Sequence, residues 1–362
     1  MNQLRVLHVA PVNVAGVPFL MMDMQRQFGA KTRLVTLYEN TLTFPEDICL
    51  QLPLPRNWLA NAWRRVKSYS VANATPLAGT NTPTHIFKSR NPVEGFYFAL
   101  MDQMRKETVL DSIRKYELDL FDIVHYDGGM DFFRDSRIAK EWKRMGKKIV
   151  CHYMGSDLRV RGIIPEMDSL SDLNLTNESD HLLLHPDIHY IFIPFDTSLI
   201  GERRTISDTI RIVHSPSKRA FKGTELILPI IERLNKIRKF EFLLLENMPH
   251  NKVVELKRTC DIAIEQIGNL GGTGYGRNSL ETLALGIPTV TEMTEDYLEW
   301  LPENPFVLAN KETLLDVLIN LIDDLDLRKQ TGRDGQLWVR KYHSYESVNN
   351  RLLDLYRSHN LI

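Results

Sequence analysis

Short apolar runs alternate along this chain with longer stretches in which apolar residues recur every three or four positions. Short runs rich in β-branched residues predict strands, and the longer period predicts amphipathic helices. In the first half the strand candidates are residues 5–10, 32–37, 121–126, 147–153 and 190–195, with helix-like segments near 18–28, 96–116 and 133–145. The second half repeats the scheme, with strands at 210–214, 240–245, 261–265, 287–291 and 306–309 and helices near 222–236, 249–258, 277–285 and 312–325. Such alternation predicts an α/β fold of parallel sheets joined by helical crossovers. At 362 residues the chain suffices for two domains, each with its own core. We expect two doubly wound parallel sheets, with the boundary near Ile193-Pro194-Phe195-Asp196. Sheets of this kind take ligands at their strand carboxyl ends, so a cleft is expected there and between the domains.

One segment breaks the pattern. Residues 48–93 contain no Asp or Glu, while Arg56, Arg64, Arg65, Lys67, Lys88 and Arg90 are all basic. Trp58, Leu59, Trp63 and Val66 fall at helical spacing and form one apolar face beside the basic residues. That face fits packing within the first domain, contact with an anionic membrane, or binding of an acidic acceptor. Residues 68–87 carry no Asp, Glu, Lys or Arg and read as a loop. The methionines Met21, Met22 and Met24 read as helix packing.

Charge and cysteine usage narrow the class. The net charge of −1 gives no general reason to bind nucleic acid. Cys49, Cys151 and Cys260 are odd in number and far apart, so neither a disulfide framework nor a zinc site is indicated. That usage fits a reducing, cytoplasmic compartment. The opening run at 5–10 is cut by Pro11 and is too short for a signal peptide, and no apolar run approaches a membrane span.

Two stretches carry the chemistry. After the strand at 210–214 come Lys218, Arg219 and Lys222-Gly223, cations placed against the local helix dipole. Cations at a strand end suit the phosphates of a nucleotide diphosphate, where charge builds on the leaving oxygens. The other reading is a solvated basic helix start. After the strand at 261–265, Gly271, Gly272, Thr273, Gly274, Tyr275 and Gly276 lead into a helix that holds Glu281. Such a turn offers free N–H groups for phosphate, and Glu281 is placed to accept from ribose hydroxyls. The other reading is a plain glycine turn with a surface Glu. In the first domain, the turn Pro11 to Val17 lacks G-x-G-x-x-G, which disfavours a dinucleotide-dependent dehydrogenase. Gly16 is a candidate for close backbone approach to a ligand. His152 and Asp157 stand at the end of the fourth strand as candidates to align an acceptor, with Arg159 or Arg161 for an anionic part of it. Asp157 also reads as a helix cap and His152 as a satisfied strand histidine. His125 and Asp127 are further candidates at a strand end.

The second half resembles the retaining glycosyltransferases of family 4, which have the GT-B fold. Arg219 and Lys222-Gly223 match the family's basic element, and Thr273-Gly274-Tyr275-Gly276 followed by Glu281 matches its Glu-Gly-Phe-Gly turn and later Glu. Thr273 stands where the family has its first Glu, the usual contact to the transferred sugar. Further matches are Asp122-Ile123-Val124-His125, Gly155-Ser156-Asp157-Leu158-Arg159, Ile193-Pro194-Phe195-Asp196, Asp261-Ile262 and the tail from Trp338. The resemblance implies an acceptor-binding domain at 1–196, a nucleotide-sugar domain at 197–340, and a terminal helix at 341–362 that packs back on the first. Catalytic roles are expected for His152, Asp157, Arg219 and Lys222. Donor contacts are implied for Gly16, Lys218, Arg219, Lys222, Thr273, Gly274, Tyr275, Gly276 and Glu281. The expected activity is retaining transfer from a UDP- or GDP-sugar to a glycan, lipid-linked or polymer acceptor in cell-envelope or surface glycan synthesis. No cofactor and no metal is expected, since Lys and Arg take the diphosphate charge. A peripheral contact with the inner face of an anionic membrane goes with it. The alternative is a non-catalytic relative that binds a nucleotide sugar or a partner transferase.

Overall fold

The computed structural model describes residues 3–40, 44–52, 84, 86–87, 92–155, 157–199, 202–204, 208–268 and 274–362. The apolar and basic face at 58–67, nearly all of the loop at 68–87, and Gly271, Gly272 and Thr273 lie outside the described residues. The chain forms two compact α/β units. The first comprises Met1–Phe192 and Asn349–Ile362, and the second Ile193–Val348.

The first unit holds β1 (Arg5–Ala10), β2 (Lys31–Thr36), β3 (Ile48–Cys49), β4 (Ile123–Asp127), β5 (Lys148–Tyr153), β6 (Leu173–Thr176) and β7 (His189–Tyr190). They form one sheet in the order β3-β2-β1-β4-β5-β6-β7, with every pairing parallel. The strand order therefore reverses between β1 and β4. Helices cover both faces, which is why β1 and β4 are buried along nearly their whole length rather than on alternate residues. On one face Leu7, Val124, Tyr126 and Ile149 pack with Phe132, Phe133 and Trp142. On the other, Ala10 and Leu34 meet Met22. Met21, Met22 and Met24 are fully buried, as expected of helix packing.

The second unit holds β8 (Arg211–His214), β9 (Glu241–Leu244), β10 (Ile262–Gln266), β11 (Thr289–Thr291) and β12 (Val307–Leu308). Their order is β12-β11-β10-β8-β9, again parallel throughout. Here the order reverses between β8 and β10. Ile212, Ile262, Ile264 and Val290 pack against Ile227, Ile231, Leu314 and Leu318 of the covering helices.

The departures from expectation have local causes. β6 was not anticipated because its sequence Leu-Asn-Leu-Thr carries Asn174, a residue depleted in strands. Asn174 is accommodated by donating to Asp187 O at 3.1 Å. The strand expected over 190–195 is limited to His189–Tyr190, with Pro194, which has no N–H for a ladder, beyond it. The helix expected over 222–236 is divided into Arg219–Lys222 and Thr224–Leu234 at Gly223, whose φ is 63°. A Cβ at Gly223 would stand 1.8 Å from the carbonyl oxygen of Ile267. This glycine lets the basic turn sit directly on the chain leaving β10.

Candidate functional site

In an open parallel sheet, the strand reversal leaves a crevice at the carboxyl ends of the strands on either side. In the second unit those strands are β8 and β10, and a polar cluster gathers where they end. His214, the last residue of β8, is buried between the carbonyl of Ile264 at 2.8 Å and the Thr224 hydroxyl at 2.9 Å. Burial lowers its pKa. The neutral ring thus donates to the carbonyl and accepts from the hydroxyl, tying β8, β10 and the following helix together. Next to it, the Lys222 ammonium meets the Glu265 carboxylate and lies 3.3 Å from Gln266 Oε1. Glu265 is on β10 and its side chain is fully buried. Burial would push its pKa up, but the Lys222 charge and the hydrogen bonds it accepts outweigh that, so it is held below the usual range.

The cluster continues into the helix Arg277–Ala284 that opens after Gly276. Asn278 donates from Nδ2 to Glu265 and accepts at Oδ1 from Ser215 at 2.6 Å and from Lys257. Lys257 also reaches Glu281 Oε2 at 2.6 Å. His250 lies 2.6 Å from Glu281 Oε1 and Arg277 Nε 3.4 Å from the same oxygen. Glu281 is only 2% exposed. Burial would raise its pKa, yet Lys257, His250 and Arg277 together bring it down to about 2. Glu281 is therefore a buried carboxylate set among three basic side chains.

The other residues expected at this site take several positions. Arg219 lies between Glu225 at 2.7 Å and Glu246 at 2.8 Å, and Lys218 lies over the Phe221 ring. Gly274 is pressed against Met293 and Tyr297, where a Cβ would come within 2.8 Å of the Tyr297 ring. Tyr275 packs among Phe306, Trp338 and His343, with its hydroxyl 3.1 Å from His343 Nε2. Gly276 has open space around it. Thr273 is outside the described residues. Sequence reasoning had not singled out Glu265, Asn278, Lys257, His250 or Arg277 as site residues. The helical spacing of Asn278, and of Arg277, to Glu281 was the available signal. Nothing in the sequence marks Lys257 as buried.

In the first unit a second polar cluster lies at the reversal between β1 and β4. Asp127 bridges two histidines: its Oδ2 is 3.0 Å from His8 Nδ1 and its Oδ1 is 3.2 Å from His152 Nδ1. Gln25 lies 2.8 Å from His8 Nε2 and donates to the Tyr356 hydroxyl, which also meets His125 Nε2. Burial would raise the Asp127 pKa, but the facing imidazoles outweigh it and hold the carboxyl well below its usual range. Burial, with His8 adding to it, takes His125 far below the usual imidazole value. His8, His125 and Asp127 offer ligand atoms within 4.8 Å of one another, but the separations just given are those of hydrogen bonds. His152 is fully buried, and its Nε2 has no hydrogen-bond partner among the described residues. Asp157 accepts from Met154 N at 2.9 Å, and burial raises its pKa. Arg159 is taken up by Glu178, Asp180 and the Gly155 carbonyl. Arg161 remains nearer Asp157, at 3.8 Å. Gly16, with φ 74°, precedes the helix Val17–Gln27 just after β1. A hollow of about 390 Å³ is lined by Leu4, Gly29 and Ala30, near the amino end of β1, and by Gln25. Among the described residues no helix is long and apolar enough to cross a membrane.

No protein-family model matches the chain, and no curated protein matches it in sequence. Solved structures do match it over nearly its whole length. The HepE protein of Anabaena, crystallised in complex with UDP, aligns with TM-score 0.58 at 11% identity, over 98% of this chain and 100% of that one. A UDP-forming α,α-trehalose-phosphate synthase from Burkholderia vietnamiensis aligns with TM-score 0.59 at 10% identity, over 99% of each chain. A UDP-N-acetylglucosamine 2-epimerase aligns with TM-score 0.54 at 12% identity, over 100% of this chain and 98% of that one. At such identities the likeness speaks to architecture, and with the two parallel sheets it establishes the GT-B fold.

Proposed function

We propose that the protein is a nucleotide-sugar-dependent glycosyltransferase that retains configuration at the anomeric carbon. The observation that carries this reading is the cluster of Lys222, Glu265, Asn278 and Glu281 at the strand reversal of the second sheet. The GT-B fold alone does not choose the reaction, since an epimerase shares it. The chemistry of the cluster favours transfer. A departing nucleoside diphosphate leaves charge on its phosphate oxygens, and Lys222 and Arg219 are cations at the strand end where that charge develops. Lys218 and the N–H groups at Gly274, Tyr275 and Gly276 complete the donor contacts. Glu281 accepts from the ribose hydroxyls by exchanging His250, which is 25% exposed, for the ligand.

In the reaction, the bond from the anomeric carbon to the phosphate oxygen breaks. The acceptor oxygen bonds to that carbon from the same face, and its proton passes to the leaving phosphate. The first unit receives the acceptor. Asp127 orients His152 through Nδ1 and leaves Nε2 for a substrate hydroxyl, while Asp157 and Gly16 border the same strand ends. The donor is a UDP- or GDP-sugar, and the acceptor a glycan, lipid-linked or polymer hydroxyl in envelope glycan synthesis at the cytoplasmic membrane face. The cations of the cluster carry the diphosphate charge without a metal or other cofactor.

A second reading has its own observation: Lys222 and Arg219 already have carboxylate partners within the chain. It makes the protein a non-catalytic relative that binds a nucleotide sugar. The test is release of nucleoside diphosphate from a panel of UDP- and GDP-sugars with mixed glycan acceptors. Lys222→Ala should lower release by about two orders of magnitude or more with the fold intact. Near-normal turnover in that variant removes the phosphate role. Nucleotide binding with no release by the wild type selects the second reading.

A further inference from the structure

No step of the proposed transfer uses Glu265, yet this carboxylate stands in the middle strand of the second sheet with its side chain fully buried. An ionised group in such a place is costly, and replacing a buried ion pair by apolar residues is often neutral or stabilising. Stability alone is therefore a poor account of it. The strand is also irregular at this point. Ile264 of β10 pairs with Val290 of β11, and Gln266 with Thr291. Glu265 is thus an extra residue on β10 with no counterpart on β11. Such bulges re-aim a side chain, and they are over-represented beside active sites.

Here Glu265 meets two donors from two different helices. One oxygen accepts from the Lys222 ammonium and the other from Asn278 Nδ2. Asn278 cannot turn round, because its Oδ1 accepts from Ser215 at 2.6 Å and from Lys257. Both Glu265 oxygens therefore face donors, a demand that a carboxylate meets and an amide does not. Lys222 is fixed at both ends. Its carbonyl accepts from Ile267 N at 3.3 Å, and its Nζ also lies 3.3 Å from Gln266 Oε1. An ammonium has three N–H groups. Two go to Glu265 and Gln266, and among the described residues no other side chain takes the third. The Lys222 side chain is 21% exposed, which leaves that N–H open to a ligand.

We infer that Glu265 is a positioning residue for the leaving group. It aims the third N–H of Lys222 at the departing phosphate, and its fixed charge behind the ammonium keeps the released nucleoside diphosphate from binding tightly. The inference rests on the transferase reading. A Lys222–Glu265 pair of no net charge attracts little in the ground state. It still donates a hydrogen bond where charge develops, which favours the transition state over the bound product.

The probes are UDP, GDP, UMP and GMP, titrated calorimetrically into the full chain. Wild type, Glu265→Gln, Lys222→Ala and the double variant are compared, each checked for a cooperative melt. Glu265→Gln should bind the wild type's diphosphate about tenfold more tightly or better, since one negative charge behind the phosphate is gone. Affinity for the matching monophosphate should change far less. The gain should vanish in the Lys222→Ala background, where an unpaired buried carboxyl takes up a proton and matches the amide in charge. A role in folding alone would instead weaken both nucleotides. A second readout needs no change at Glu265. In wild-type protein carrying isotope-labelled lysine, the Lys222 ammonium is assigned by its loss in Lys222→Ala. It should give a resolved NMR signal that shifts with the diphosphate and not with the monophosphate. Equal diphosphate affinity in wild type and Glu265→Gln, weaker binding of both nucleotides, a gain that persists without Lys222, or a Lys222 signal averaged with the solvent-exposed lysines would each overturn the positioning role while diphosphate binding stands. No nucleotide binding by the wild type would overturn the transferase reading and this role with it.

Discussion

Replacing Lys257 by Met tests the electrostatic core of the donor site. The Lys257 side chain is 1% exposed, and its ammonium lies 2.6 Å from the buried Glu281 carboxylate and also serves Asn278. Methionine keeps most of the volume and removes the charge. Breaking a buried pair from one side typically costs about 3–5 kcal/mol, because the remaining charge stays desolvated. Arg277 and His250 still face Glu281, so the cost should fall near the lower end, about 3 kcal/mol. Urea unfolding of the full chain measures it, with hydrogen exchange along β10 assigning the transition to the second unit. Glu281→Gln in the Lys257→Met background should recover part of the loss, giving a coupling of about 1–3 kcal/mol between the two sites. A Lys257→Met change within about 0.5 kcal/mol of wild type, or strict additivity of the two substitutions, would refute the buried network as described.

Acid should weaken the same unit in a defined window. Glu281 is depressed from 4.5 to about 2, so its contribution is complete above its unfolded value and lost as pH falls from about 4.5 toward 2. That contribution is on the order of 3 kcal/mol. The unfolding free energy of Glu281→Gln should therefore fall less steeply across that window, and equal slopes would contradict the assignment. Gly223→Ala should destabilise the second unit by about 1–3 kcal/mol or more, since φ is 63° and the new Cβ would meet the Ile267 carbonyl. A melt unchanged from wild type would show that the basic turn does not rest on β10.

The hydrophobic pattern made the architecture legible because parallel strands covered on both faces carry short apolar runs, such as Val6-Leu7 in β1, Ile123-Val124 in β4 and Ile262-Ala263-Ile264 in β10. It failed where short strands carry polar residues, as in β6, and where one residue sets a break, as at Gly223. The candidate site was legible in part. Lys222 and Glu281 stand out as a cation after a strand and an acid after a glycine turn. Their partners do not, because Glu265, Lys257 and His250 come from β10 and from a different helix, and only the closed sheet brings them together. The His8–Asp127–His152 bridge is the same case, joining three strands distant in sequence. Asp127 was noted at a strand end, but nothing local ties it to His8.

The central claim is that the cluster at the end of β8 and β10 binds a nucleoside diphosphate. The most direct measurement is a thermal-shift panel of UDP, GDP, ADP, CMP and their common sugar conjugates against wild type and Lys222→Ala. A ligand that binds only the folded chain raises its stability as its concentration exceeds the dissociation constant. The account predicts selective stabilisation by one nucleoside diphosphate and its sugar conjugate, reduced in Lys222→Ala. A cooperative melt left unmoved by every nucleotide at millimolar concentration would contradict it.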